Sequence, residues 1–202
     1  GGEGGMVTTS CPDLYDKMWS FKDHGKTIES LRSKKNSLGY KLVHERLGSN
    51  FRLTEMQSAL GIYQLKKLKE WHYIRKRNAN LIYEALKDLK VIRIPRPTSE
   101  IQHAWYKFYS YIRQDALLTN WNRDRIINEI NKLGYPAYTG SCGEIYLENC
   151  IKDKGFAPQN RLKVAKEMGE TSLMFLIHPS INIDQMINYA NTLRSILLKA
   201  QR

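Results

Sequence analysis

Asn50 and Arg52 stand in a polar turn, GSNFR at Gly48–Arg52, that runs straight into the helical pattern LTEMQSAL. Thr54 and Gln57 have the spacing of a reciprocal capping box: the hydroxyl accepts from the Gln57 backbone N–H while the Gln57 side chain reaches back to Thr54. Asn50 and Arg52 are thereby held just outside a helix N-terminus. Free backbone donors and the positive end of the helix dipole favour an anion there, and an amide and a guanidinium suit a phosphate. The same residues also have plain structural uses. An Asn can hold a turn through its own backbone, and Arg52 has the i,i+3 spacing for an ion pair with Glu55.

Other residue types invite chemistry less strongly. His103 opens HAWYKFY, where an imidazole N–H could donate to a diphosphate or ribose oxygen, a binding role more than a catalytic one. Tyr106 could line the same pocket, although aromatic residues on a strand usually belong to a core. Cys142, in SCGEIY, has no evident base beside it in sequence, so an inert thiol is the expectation. His44, His72 and His178 share no metal-ligand spacing, and no metal site is expected.

Composition narrows the class. The 202 residues are 42% hydrophobic and 26% charged, which fits a globular fold. No apolar run approaches the ~18 residues that a membrane-spanning helix needs. Three cysteines, Cys11, Cys142 and Cys150, form no C-x-x-C pair. They suit reduced thiols of a cytoplasmic protein better than a disulfide framework. The formal charge of +12 is compatible with phosphorylated small ligands or with nucleic acid. The densest basic runs are Lys34–Lys35, Lys66–Lys69 and Arg75–Arg77. The last two fall on a helical pattern, where a solvated face is the simpler explanation, and no nucleic-acid motif accompanies them.

The elements that would position these residues follow from the hydrophobic periods. Gly1–Gly5 reads as a linker or as the lead into a short strand at Met6–Thr9. Ser10 is placed to cap a helix with Pro12 in its first turn and Leu14, Met18 and Phe21 on its apolar face, ended by His24-Gly25. Thr27–Glu45 has no clean period and predicts a long loop. The helical pattern from Thr54 runs to Leu89, with a break expected near Gln64–Leu68. Met56, Ala59, Leu60 and Tyr63 would then face one core, and Leu68, Trp71, Leu81, Ile82, Ala85 and Leu89 another. Strands are predicted at Val91–Ile94, Ala104–Arg113 and Ser172–His178, and helices at Asn122–Leu133, Pro158–Met168 and Asp184–Lys199. Gly134 serves as a left-handed stop, and Asn182 with Gln185 as a capping box. With one further strand between Gly134 and Pro158, the order strand, strand, helix, strand, helix, strand, helix makes a small α+β domain with helices on one face of a sheet.

Several ordered motifs carry more than any single residue: GGEGGMVTTS at Gly1–Ser10, DHGK at Asp23–Lys26, GSNFRLTEMQSALG at Gly48–Gly61 and HAWYKFY at His103–Tyr109. Together with GSCGEIYLE at Gly140–Glu148 and LIHPSI at Leu176–Ile181, they resemble the C-terminal half of the DegT/DnrJ/EryC1/StrS aminotransferases. That resemblance implies an α/β, fold type I, pyridoxal-phosphate-dependent transferase. Residues 1–65 would close the large, cofactor-binding domain, and residues 66–202 would form the linking helix and small domain. It implies amino transfer, commonly from glutamate, to a keto-sugar on a nucleotide. It also implies a cytoplasmic homodimer with shared active sites, in surface polysaccharide or glycan biosynthesis.

By the same resemblance Asn50 contacts the cofactor phosphate of the other subunit, and His103 contacts the nucleotide-sugar from the neighbouring subunit. His24 and Lys26 border the active site; Arg52 as a grip on an anion and Tyr106 as a lining of the His103 pocket are added as substrate contacts from the residues themselves. Cys142 or Glu144 would lie near the sugar, and His178 before Pro179 would be architectural. The lysine that forms the Schiff base lies about five residues before Gly1 in this family. The ring-stacking aromatic residue and the aspartate partner of the pyridine nitrogen also belong to the earlier half. The 202 residues alone are therefore expected to be inactive by the family mechanism. Two other classes remain open: a basic module for nucleic acid or other polyanions, and a non-catalytic dimerising remnant of the family.

Overall fold

Alternation along FYSYI makes β2 (Phe108–Ile112) a strand with Phe108, Ser110 and Ile112 buried and the two tyrosines half-buried between them. β1 (Ile92–Arg93), β2, β4 (Ser172–Phe175) and β3 (Ala137–Thr139) form an antiparallel sheet in that spatial order. Phe108 pairs with Phe175 and Ser110 with Leu173, while Ala137 pairs with Phe175 from the other edge. All four residues of β4 are buried, so its reading as a continuous apolar run has a cause: both faces are covered. Leu173 and Phe175 join the core face. There α4 (Arg123–Lys132), α7 (Ile183–Ala200) and the second half of α3 (Glu55–Leu86) contribute Ile126, Ile130, Leu193, Leu197, Ile82 and Leu86. On the opposite face Arg93 lies over the Tyr111 ring at 4.3 Å and reaches Met168 Sδ of α6 (Lys163–Thr171) at 3.7 Å. The expected helices on one face thus hold for α3, α4 and α7, with α6 added on the other side.

Polar groups lock these helices in register. Asn78 is fully buried; its Nδ2 donates to the His178 carbonyl at 3.3 Å while its Oδ1 accepts from Arg77 at 2.9 and 3.1 Å. Arg194 donates to both Asp88 carboxylate oxygens at 2.6 and 2.8 Å, and to the Ala85 carbonyl at 2.6 Å. The Arg194 hydrogen bonds hold the Asp88 carboxyl down at about 2. Asn182 and Gln185 form the predicted capping box on α7, and Gly134 ends α4 with φ +82°.

The structure is a computed structural model that describes residues 2–32, 44–140 and 142–202. Gly1, most of the Thr27–Glu45 segment including Lys34–Lys35, and Ser141 of the SCGEIY motif lie outside the described residues. The chain forms two compact units, Gly1–Lys67 and Leu68–Arg202. The first holds α1 (Pro12–Lys22) and α2 (Ile28–Arg32); the boundary falls inside α3. In the second, α5 (Asn149–Lys152) is a single turn following a 3-10 turn at Ile145–Leu147. Among the described residues no helix is long and apolar enough to cross a membrane.

Several expectations change. Met6–Thr9 forms no strand and is exposed; a β-branched run needs a sheet before it becomes one. The α1 cap is Cys11, whose side chain makes no capping bond, in place of Ser10. Residues 28–32 of the predicted loop are helical, because Thr27 Oγ1 accepts from the Ser30 backbone N–H at 3.1 Å and starts a turn. α3 is unbroken over 32 residues: Gln64–Leu68 are good helix formers with no proline or inserted side chain to interrupt the ladder. Met56, Leu60, Tyr63 and Leu68 are exposed, against expectation, while Ile82 and Leu89 are buried as expected. The predicted Pro158–Met168 helix begins only at Lys163.

Ile82 is fully buried, so Ile82→Ala is expected to cost about 2–5 kcal/mol in urea unfolding. Asn182→Ala, which removes the α7 cap, should cost about 1 kcal/mol in the same measurement.

Candidate functional site

Two turns of the first unit approach backbone to backbone, and two glycines make this possible. Gly25 has φ +78°, and a Cβ there would overlap the Arg46 carbonyl; a Cβ on Gly48 would overlap the Gly25 and His24 backbone. The pair is stitched by Ser49 N–H to Phe21 O at 2.7 Å, His24 N–H to Ser49 O at 3.2 Å and Phe51 N–H to Lys22 O at 3.0 Å. Asp23 consequently pairs with Asn50 across an isolated antiparallel bridge. DHGK and GSNFR, twenty-odd residues apart in sequence, become one constellation.

Arg52 lies at its centre. Its Nε donates to Asn50 Oδ1 at 3.1 Å, one terminal nitrogen lies 3.4 Å from Asp23 Oδ1, and the other 3.4 Å from His24 Nε2. Lys26 Nζ reaches the same Asp23 oxygen at 3.4 Å. Burial raises the Asp23 carboxyl, but Arg52, Lys26 and Lys22 together outweigh it and hold the group below its ordinary value. The carboxylate therefore stays charged and orients Arg52. The carboxylate beside Arg52 is thus Asp23 and not Glu55, the i,i+3 neighbour. Because Asn50 Oδ1 is engaged by Arg52, its Nδ2 is presented as a donor with no partner among the described residues. Two cations against one carboxylate leave a net positive charge beside that donor, and this arrangement fits a phosphate. Thr54 and Gln57 cap α3 as predicted, with Gln57 N–H donating to Thr54 Oγ1 at 3.3 Å and Thr54 N–H to Gln57 Oε1 at 3.2 Å. Next to Arg52, a cavity of about 650 Å³ is walled by Trp19, Phe21, Phe51 and Leu53.

The second unit holds the other candidates. His103 Nδ1 accepts the Trp105 backbone N–H at 2.9 Å, within a turn where Trp105 has φ +50° and the two rings lie 4.4 Å apart. Neutral His103 must therefore carry its proton on Nε2, which leaves that atom as a donor. Tyr106, 68% exposed, lies beside Arg75 and Lys107 and does not line the cavity that His103 lines. Glu144 is occupied structurally: it accepts from Arg161 Nε at 2.9 Å and from the Tyr146 hydroxyl. The Arg161 bonds, with help from Tyr146, hold its carboxyl at about 2. Cys142 is exposed and directs its thiol at Glu148 Oε1, 3.8 Å away. His178 supplies the carbonyl that receives Asn78, an architectural role. Asn50, Arg52, His24 and Lys26 are thus gathered in one unit, and His103 and Tyr106 lie separately in the other. Asp23 is a site residue that the motif spacing does not single out; its place in DHGK, one residue before His24, is the signal that marks it.

The sequence model of the DegT/DnrJ/EryC1/StrS aminotransferase family matches residues 1–194. The crystal structure of an aminotransferase from Psychrobacter cryohalolentis superposes with a TM-score of 0.86 at 40% identity, covering 96% of this chain and 51% of that one. The GDP-4-keto-6-deoxy-D-mannose 3-dehydratase of Escherichia coli is 26% identical over 208 residues, 96% of this chain and 50% of the dehydratase. The erythromycin biosynthesis sensory transduction protein EryC1 of Saccharopolyspora erythraea is 26% identical over 194 residues, 96% of this chain and 47% of its own. The chain spans about half the length of these curated relatives.

Gly48→Ala is expected to separate the two turns, seen as large amide shift changes at His24, Asn50 and Arg52 with the second unit unaffected. Glu144 folds with its carboxyl at about 2 against an ordinary 4.5. Its stabilising contribution is complete above 4.5 and is lost as pH falls from there through 2. A carbon-detected titration of the Glu144 carboxyl should give a midpoint near 2, and Arg161→Gln should return it toward 4.5.

Proposed function

Because this chain belongs to the DegT/DnrJ/EryC1/StrS aminotransferase family, we propose that it is the C-terminal part of a pyridoxal-phosphate-dependent enzyme that aminates a nucleotide-linked keto-sugar. Glutamate is the donor in this reading, and the product enters surface polysaccharide or glycan biosynthesis in the cytoplasm. Residues 1–65 complete the cofactor-binding domain and residues 66–202 form the linking helix and small domain. When bound, pyridoxal phosphate supplies the electron sink through which an amino group leaves one substrate and enters another.

The observation that carries the reading is the Asn50–Arg52–Asp23 constellation. Asn50 Nδ2 donates to the cofactor phosphate, Arg52 adds positive charge beside it, and Asp23 keeps Arg52 in place. Lys26 and His24 border the same turn. His103 Nε2–H serves as a donor to the nucleotide-sugar, and Tyr106 supplies an aromatic surface near that end. Asn50 and His103 act on the partner's site within a homodimer, as the family resemblance implies. None of these residues shuttles the proton of the reaction. That task falls to the lysine expected about five residues before Gly1 in a longer chain.

The dehydratase relative supports a second outcome on the same scaffold, removal of water from the sugar in place of amination. The two separate by mass: the longer chain, given glutamate and a nucleotide-linked keto-sugar, should yield the amino-sugar, whereas a nitrogen-free keto-sugar that has lost a hydroxyl oxygen would establish the alternative. Replacing the upstream lysine by Ala should abolish both the absorbance of the lysine-bound cofactor and turnover. Asn50→Ala removes one charge-assisted bond worth about 1.5–3 kcal/mol, so cofactor retention should weaken about 10–100-fold, read by equilibrium dialysis. Unchanged retention would remove Asn50 from the phosphate site.

A further inference from the structure

Arg52 is held at three points. Nε donates to Asn50 Oδ1 at 3.1 Å, one terminal nitrogen lies 3.4 Å from Asp23 Oδ1, and the other lies 3.4 Å from His24 Nε2. Acceptors on three residues define the plane of a guanidinium; with two, the group can swing about the line that joins them. An arginine side chain has five N–H donors and no acceptor, so the contact with His24 has only one direction. His24 Nε2 accepts through its lone pair, and a neutral ring must then carry its proton on Nδ1. Protonation would replace that lone pair with a donor and set an imidazolium against the guanidinium.

Backbone duties do not account for a histidine here. Its N–H donates to Ser49 O at 3.2 Å, and its carbonyl accepts from His44 Nδ1 at 2.5 Å. Glycine or asparagine would serve both duties at less cost, because residue 24 lies in the left-handed region with φ +59°. A bulky ring kept in that conformation calls for a use of its side chain. Bonds on both sides of Cα fix the backbone, so the imidazole meets Arg52 from a set origin.

We propose that His24 is a positioning residue that acts through Arg52: its Nε2 lone pair is the third acceptor that sets the guanidinium plane. Among the described residues these contacts leave one N–H on each terminal nitrogen of Arg52, enough for two oxygens of a phosphate. His24 itself does not touch the anion. The inference rests on the reading above for the identity of that anion, the cofactor phosphate; the three contacts stand on their own geometry.

Two substitutions separate reach from backbone. His24→Asn suits the left-handed backbone but is too short to reach Arg52, whereas His24→Gln restores an acceptor near the place of Nε2. Nitrogen-detected NMR of the 202-residue chain should show His24 with a proton on Nδ1 and none on Nε2. The Arg52 Nε–H signal should move in His24→Asn and return toward its original position in His24→Gln. In the longer chain, equilibrium dialysis of pyridoxal phosphate should show retention weakened about three- to tenfold by His24→Asn and largely restored by His24→Gln. In an Arg52→Gln background His24→Asn should add nothing, because the residue acts only through the guanidinium. A proton on Nε2, an Arg52 signal indifferent to His24→Asn, or an equal loss of retention with and without Arg52 would overturn the role. The tautomer is read on the unsubstituted chain, so it decides even if His24→Asn parts the two turns. The two proposals fail separately. A longer chain that holds no pyridoxal phosphate, while Arg52 still follows His24, overturns the function alone; one that loses the cofactor on Asn50→Ala but is indifferent to His24→Asn overturns this role alone.

Discussion

β4 is the strand on which the second unit depends. It pairs with β2 on one side and β3 on the other, and all four of its residues are buried. Its core face holds Leu173 and Phe175, and Phe175 meets Phe108 at 6.3 Å and Tyr189 of α7 at 6.2 Å. Strand pairing fixes the register, and apolar burial then fixes which helices can cover the sheet. Every residue of the loop that carries His103 hangs from β1 and β2, so the position of that loop is inherited from the same sheet.

The first unit is organised by a different constraint, the absence of two side chains. Gly25 and Gly48 let two turns share backbone hydrogen bonds, and from that proximity come the Asp23–Arg52 pair and the direction of the Asn50 amide. Local capping and nonlocal glycine packing contribute separately. Thr54 and Gln57 establish where α3 begins; the glycines establish what stands in front of it.

Caps, left-handed stops and apolar periods were readable from sequence because each is a local rule. Asn182–Gln185, Thr54–Gln57, Gly134 and the strand-helix order of the second unit all followed from spacing. The failures share a cause, since they concern burial that depends on distant partners. Met6–Thr9 looks like a strand by residue type but forms none. Met56, Leu60 and Tyr63 look like a core stripe, yet they are exposed. The ordered motifs pointed to Asn50, Arg52, His24 and Lys26, which the fold brings together. They could not show Asp23 as the carboxylate that orients Arg52, nor the His24 lone pair as a further acceptor beside it, because both facts arise only when separate segments meet.

The buried Asn78 amide acts as an index pin for α3. A helix advances about 100° per residue, so a slip of one residue would turn Lys69, His72 and Lys76 away from the cavity that His103 lines. By binding the His178 carbonyl and Arg77 in the core, Asn78 gives α3 a single angular setting. A polar group with no access to ligand thus determines which side chains a ligand would meet.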